Sequence, residues 1–285
     1  MTGAPNPLGE HLYALVDRLR EADGLLVLLD FDGSLAPIVE DPDAAALPEE
    51  TREAVVDLRD APDVQVGIVS GRELADLRER VDVDGVAYAG NHGLELWADG
   101  EEQVNPTARE LREDVDAAVE TVESELADVD GAFVEEKGVT ATVHYRRASE
   151  DAVPDVKDAV REAAADVDDV RVTAGKSILE LRPDVDWDKG RATDWLSDRF
   201  VPDDEEWLSL YLGDDRTDED AFDVLADADS PGVGIKVGHE PPTVAEYRVD
   251  DPVGVHATLR WLADYGLTFL DADPGEHSRF SRPTE

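Results

Sequence analysis

"LLVLLDFDGSLAP", residues 25–37, decides the fold. Five apolar residues run unbroken into Asp30, Phe31, Asp32 and Gly33. So short an apolar run, closed by turn residues, fits a strand buried on both faces. Its end carries two carboxylates, at i and i+2, beside a glycine. In an open parallel sheet, ligands sit outside the carboxyl ends of the strands, so this placement points to a site. Asp and Gly also end strands as ordinary turn residues, and Asp and Glu supply 70 of the 285 residues. The pair therefore needs independent support.

The formal net charge is -44, spread along the whole chain. Such a field repels nucleic acid and anionic membranes, so neither is expected as a partner. It also repels a phosphorylated substrate, so a site for one must be locally cationic or metal-bearing. With 5 Lys against 21 Arg and acid throughout, the composition reads as adaptation to concentrated salt. No cysteine is present, which excludes disulfides, thiolate metal sites and a Cys nucleophile. The N-terminus lacks a basic start followed by an apolar stretch, and no apolar run approaches the roughly 20 residues that span a bilayer. The expectation is a cytoplasmic protein of unspecified oligomeric state.

Strands are expected at 25–30, 64–69, 86–90, 207–212, 232–236 and 246–249, with helices at 48–59, 72–79, 188–199, 217–227 and 253–264. Near-continuous apolar strands alternating with helices indicate a Rossmann-like α/β core with a parallel sheet. The middle reads differently. Leu111, Val115, Val119, Val122 and Leu126 mark one helix face within 108–128, and a hairpin turning at Gly138 follows. A helix at 151–166 and a second strand pair, turning at Ala174-Gly175, complete an α+β insertion. The expected units are a core at 1–104 and 183–270, an inserted cap at 105–182 with Pro-containing hinges, and a weakly ordered tail at 271–285.

Three further segments bear on the same sheet edge. "VGIVSGRE" ends a strand at Ser70-Gly71 before a helix, which offers a hydroxyl and backbone N–H groups to an anion or merely an N-cap. "DKGRA" puts Lys189 in a first helical turn, unfavourable against the helix dipole unless an anion binds there; a solvated surface Lys is the alternative. "GDDRTDEDAF" places Asp214, Asp215, Asp218, Glu219 and Asp220 past a buried strand. An oxygen-only set suits Mg²⁺, whereas helix capping by Thr217, Glu219 and Asp220 is the alternative, and a calcium EF-hand lacks its Gly and Glu. Nucleophile, metal ligands and phosphate-neutralising groups together account for all four segments.

These motifs resemble the haloacid-dehalogenase-type phosphohydrolases. "SGR" (70–72), "GNHGLE" (90–95), "VEEKGVTATVHYR" (134–146), "LELRP" (179–183), "DKGRA" (188–192) and "GDDRTDEDAF" (213–222) narrow the resemblance to the trehalose-6-phosphate phosphatase family. Ser34 stands where Thr is usual. The resemblance implies Asp30 as nucleophile and Asp32 as acid then base. It places Mg²⁺ on Asp30, the Asp32 carbonyl and Asp214, with Asp218 completing or orienting the shell and Asp215 a weaker candidate. Ser70 and Lys189 would hold the phosphoryl oxygens, with Gly71 and Arg72 beside the substrate. Glu135, Lys137, Lys176 and Glu180 of the cap would grip sugar hydroxyls, and Asn91 and His92 would border the crevice. His144 and Arg146 fit a supporting role. Competing expectations are another sugar phosphate (a mannosyl- or glucosyl-glycerate phosphate, or sucrose phosphate), a non-catalytic sugar-phosphate-binding module, and a phosphosugar mutase.

Overall fold

The structure is a computed structural model and describes residues 5–39, 44–175, 177–226 and 232–270. The expected tail (271–285) and Lys176 lie outside the described residues. In chain order the first elements are β1 (Asn6–Pro7), α1 (Leu12–Leu19), β2 (Gly24–Asp30), α2 (Glu49–Arg59), β3 (Val64–Val69) and α3 (Leu74–Val81). There follow β4 (Ala87–Gly90), β5 (Glu95–Ala98), β6 (Glu101–Val104), α4 (Pro106–Glu110), α5 (Arg112–Leu126), β7 (Phe133–Lys137), β8 (Thr140–His144) and α6 (Val153–Ala165). The last are β9 (Val170–Gly175), β10 (Ile178–Pro183), α7 (Lys189–Phe200), β11 (Trp207–Gly213), α8 (Glu219–Leu225), β12 (Gly232–Val237), β13 (Tyr247–Val249) and α9 (Pro252–Asp264).

Nine strands form one sheet in the order β1-β13-β12-β11-β2-β3-β4-β5-β6, parallel from β1 through β4. β2 lies at its centre with all seven residues buried. Successive side chains of a strand point to opposite faces, and β2 fills both. Leu25, Val27 and Leu29 pack with Leu15, Leu58, Leu77 and Leu259 of α1, α2, α3 and α9, while Leu26 and Leu28 pack with Leu196 of α7 and Phe222 of α8. This double coverage requires the unbroken apolar run that the sequence shows.

The sheet is not wholly parallel: β5 and β6 add an antiparallel edge to β4. β6 exposes Glu101 to Gln103, so it lacks the apolar signature of the inner strands. The helix expected at 72–79 begins only at Leu74, which leaves Ser70, Gly71 and Arg72 in a turn rather than at an N-cap.

A second, four-stranded antiparallel sheet has the order β7-β8-β10-β9. One face packs on α5 and α6 through Ala141, Val143, Leu179 and Leu181 against Val119, Val122, Val156 and Val160. The opposite face carries a polar row, because Glu135 and Glu180 both stand across from Thr142. The second hairpin does not turn at Ala174-Gly175. β9 runs through Gly175, which pairs with Ile178.

Candidate active site

Strand register brings the motif residues to one edge. Asp30 stands opposite Val69, the residue before Ser70, and Leu29 stands opposite Leu212, two residues before Asp214. Beyond β2 the chain turns tightly, with the Gly33 N–H donating to the Ala36 carbonyl at 2.8 Å. Gly33 has φ +86, and a Cβ there would fall 2.2 Å from Asp214 Oδ2. Glycine is therefore required both by the left-handed backbone and by the close approach of the Asp214 carboxylate.

Lys189 heads α7, with Asp188 capping the helix through the Arg191 N–H at 2.9 Å. Its side chain is not solvated. It is 2% exposed and donates to Asp30 Oδ1 at 2.7 Å and Asp218 Oδ1 at 2.6 Å. Burial by itself would lower its pKa, but the charges of Asp218 and Asp30 more than offset this and keep the ammonium protonated. Burial raises the Asp30 carboxyl well above the usual range, against the opposing pull of Lys189. Burial, then the Asp218 charge, pushes Asp214 up to about 7.

Asp218 does not cap α8 through its side chain, nor does Thr217, whose hydroxyl is buried without a hydrogen-bond partner. The capping alternative thus fails for Thr217. Instead Asp218 Oδ1 accepts from Lys189 and from Tyr211 OH at 2.8 Å, and Oδ2 accepts from the Asp215 N–H at 2.8 Å. Asp215 is exposed, and its carboxylate accepts from its neighbour Arg216 N–H.

Carboxylate oxygens of Asp30, Asp214 and Asp218 lie within 4.8 Å of one another. Asp30 Oδ2 and Asp214 Oδ1 are buried without a hydrogen-bond partner. Two buried, unpartnered anionic oxygens at such range are costly unless a cation joins them. An all-oxygen donor set fits a hard divalent ion that takes one or two carboxylates and keeps water. The residues present therefore suit the implied metal.

Arg72 engages both oxygens of Asp32, at 2.6 and 2.7 Å, and Asp76 at 2.9 Å. Its guanidinium is thus committed to the aspartate beyond β2. Ser70 is buried, and its Oγ accepts from the Arg72 N–H at 3.2 Å. Gly71 faces the His92 ring, where an added Cβ would come within 2.8 Å.

The second sheet closes over this edge. Asn91, expected to border the crevice, uses its whole amide elsewhere. Nδ2 donates to Glu95 Oε2 at 2.8 Å and to the Lys137 carbonyl at 2.7 Å, and Oδ1 accepts from Thr140 at 2.8 Å. It therefore ties the end of β4 to the β7–β8 hairpin. His92 Nε2 lies 3.5 Å from Glu180 Oε2, and burial lowers the His92 pKa, leaving the ring neutral at pH 7. Glu135 accepts from His144 at 2.7 Å and sits 3.8 Å from Lys137 Nζ. Its pKa is lowered, chiefly by that His144 hydrogen bond. His144 also stacks on Phe133, and Arg146 is exposed beyond β8.

Sequence reasoning did not single out Tyr211, Lys236, Thr142 or Arg182. Thr142 sits between Glu135 and Glu180, 1% exposed, with a hydroxyl that has no partner. Arg182 is 5% exposed, with Nε and Nη2 unpartnered. Strand alternation would have found both, since Thr142 shares its face with Thr140, and Arg182 with Glu180.

The fold, an open α/β sheet with chemistry at its carboxyl edge and an α+β layer inserted over it, is of the haloacid-dehalogenase-like class. Within that class the match is specific. Residues 28–253 fit the trehalose-phosphatase family profile, and the chain belongs to that family. It is 41% identical over 254 residues to the trehalose-phosphate phosphatase of Mycobacterium avium, covering 85% of this chain and 64% of that protein. It is 38% identical over 284 residues to an uncharacterised glycosyl hydrolase of Mycobacterium tuberculosis, covering 93% of this chain and 21% of that one. The chain thus spans less than two thirds of these relatives' length. The C-terminal domain of Candida albicans trehalose-6-phosphate phosphatase superposes with a TM-score of 0.74 at 28% identity, covering 92% of this chain and 99% of that domain.

Proposed function

We propose that the chain is a Mg²⁺-dependent phosphatase that hydrolyses trehalose 6-phosphate to trehalose and phosphate. The observation that carries the reading is Asp30: buried, held at Oδ1 by Lys189, and left with Oδ2 unpartnered at the sheet edge. Family membership supports the sugar.

Asp30 attacks phosphorus through one carboxylate oxygen, the phosphorus–sugar oxygen bond breaks, and an aspartyl phosphate forms on Asp30. Asp32, which takes up a proton from water once Arg72 is drawn off one of its oxygens, gives that proton to the departing sugar oxygen. Its carboxylate then takes a proton from the water that attacks phosphorus, releasing inorganic phosphate and restoring Asp30. Arg72 holds both Asp32 oxygens, so substrate entry has to draw it off one of them before that proton can be delivered. Ser70 and Lys189 take phosphoryl oxygens and spread the charge of the transition state. Mg²⁺ held by Asp30, Asp214 and the Asp32 carbonyl, with Asp218 orienting, would neutralise phosphoryl charge. The ammonium and the metal make a cationic spot inside a protein of net charge -44.

The second sheet is read as a cap, residues 105–182, that selects the sugar through Glu135, Lys137 and Glu180. Sugar phosphates are charged and do not cross membranes unaided, so the reaction is placed in the cytoplasm. No helix among the described residues is long and apolar enough to cross a membrane. Phosphate release measured over a sugar-phosphate panel, with Mg²⁺ in concentrated salt, tests the reading. Trehalose 6-phosphate should be turned over fastest, and Asp30→Asn should abolish release without unfolding the chain. Turnover of another sugar phosphate with none of trehalose 6-phosphate would overturn the substrate, and an active Asp30→Asn the nucleophile.

A further inference from the structure

Lys236 is a charged side chain in an otherwise apolar strand, and no step above uses it. β12 is buried at every position, and Lys236 is 4% exposed. Its partners across the sheet are Gly213, the last residue of β11 before Asp214, and Arg248 of β13. The ammonium donates to the Asp214 carbonyl at 2.6 Å and the Asp215 carbonyl at 3.0 Å, and lies 3.7 Å from Glu219 Oε1. Two carbonyls thus accept from the ammonium, and Glu219 Oε1, which has no hydrogen-bond partner, adds a charge contact. Glu219 is itself fixed, accepting from the Val244 N–H at 2.9 Å through Oε2.

Burying an ammonium costs several kcal/mol before its partners are counted, and an apolar residue would complete β12 without that cost. What the lysine adds is control of two consecutive peptide groups. Holding the carbonyls of 214 and 215 fixes the backbone from which the Asp214 carboxylate projects toward Asp30 and Asp218. That carboxylate has little latitude, because the Gly33 turn lies against it on the other side.

We propose that Lys236 is a positioning residue for the cation site. It holds the Asp214–Asp215 loop in the ion-binding arrangement before the ion arrives. The inference rests on reading Asp30, Asp214 and Asp218 as that site. The lysine's charge acts in the opposite sense, repelling an incoming cation. Two carbonyl dipoles and the Glu219 carboxylate offset that repulsion, so the positioning effect wins.

Partners that orient metal ligands typically govern affinity by about 10–100-fold. Titration calorimetry with Mg²⁺ alone, on the full chain without substrate, reads this directly. Lys236→Met is expected to bind Mg²⁺ at least about tenfold more weakly. Its kcat at saturating Mg²⁺ should fall much less than its apparent Mg²⁺ affinity. Glu219→Gln, which loosens the lysine's third contact, should weaken binding in the same direction and stands in if Lys236→Met does not fold. Wild-type binding with unchanged or tighter binding in the folded variants would overturn the role of Lys236 alone. A wild-type protein that binds no Mg²⁺ would overturn the cation site as well.

Discussion

Lys189→Met keeps most of the side chain's length and removes its charge. The substitution strands Asp30 and Asp218, whose side chains are 5% and 0% exposed and which now share one ammonium at 2.7 and 2.6 Å. Breaking a buried pair by removing one partner costs about 3–5 kcal/mol, because the remaining charge has no compensation. That cost applies only while the carboxylates are ionised. The Asp30 pKa is already raised in the folded chain by burial, against Lys189, and losing Lys189 raises it further. A carboxyl whose folded pKa exceeds its unfolded value of about 3.9 destabilises progressively as pH rises through that interval. The penalty is therefore absent in acid and grows upward from about pH 4. Urea unfolding at constant high salt, at pH 5 and pH 8, measures it. The variant should lose about 3–5 kcal/mol at pH 8 and distinctly less at pH 5. A loss below about 1 kcal/mol at pH 8, or equal losses at both pH values, would refute the buried-charge account.

Mg²⁺ affinity should rise with pH and level off above about 7, where Asp214 is ionised in the metal-free protein. Calorimetry at pH 6 and pH 8 should differ by about tenfold, and a flat profile would contradict the assignment of Asp214. Thr142→Val removes a buried hydroxyl that lacks a partner, so the variant should be slightly more stable yet show KM for the sugar phosphate raised about tenfold. Equal losses on a small aryl phosphate would place Thr142 outside sugar recognition. Melting temperature should climb between roughly 0.1 M and 1 M KCl, as the Debye length shortens from about 10 Å to 3 Å. An unchanged value would remove salt adaptation as the reason for the net charge of -44.

The inner strands were legible because burial on both faces leaves a run such as residues 25–29 no polar position. β5 and β6 were not, because β5 has only four residues, too few to set a period, and β6 exposes Glu101, Glu102 and Gln103. The same logic divides the site. Asp30, Lys189, Asp214 and Asp218 announce themselves as charged residues at strand ends or a helix start. Asn91 stood in a readable motif, but its partners Thr140 and the Lys137 carbonyl arrive from a different sheet, which only tertiary packing shows. Lys236 had one available signal, a scarce residue type interrupting an apolar strand.

The lysines also have a practical side. Among the described residues none is exposed: Lys189 and Lys236 are buried, and Lys137 and Lys157 are partly covered. Amine-reactive dyes, crosslinkers and resins therefore find little to grip at these four positions in the folded state. Strong modification of these four becomes a gauge of unfolding rather than a map of the surface.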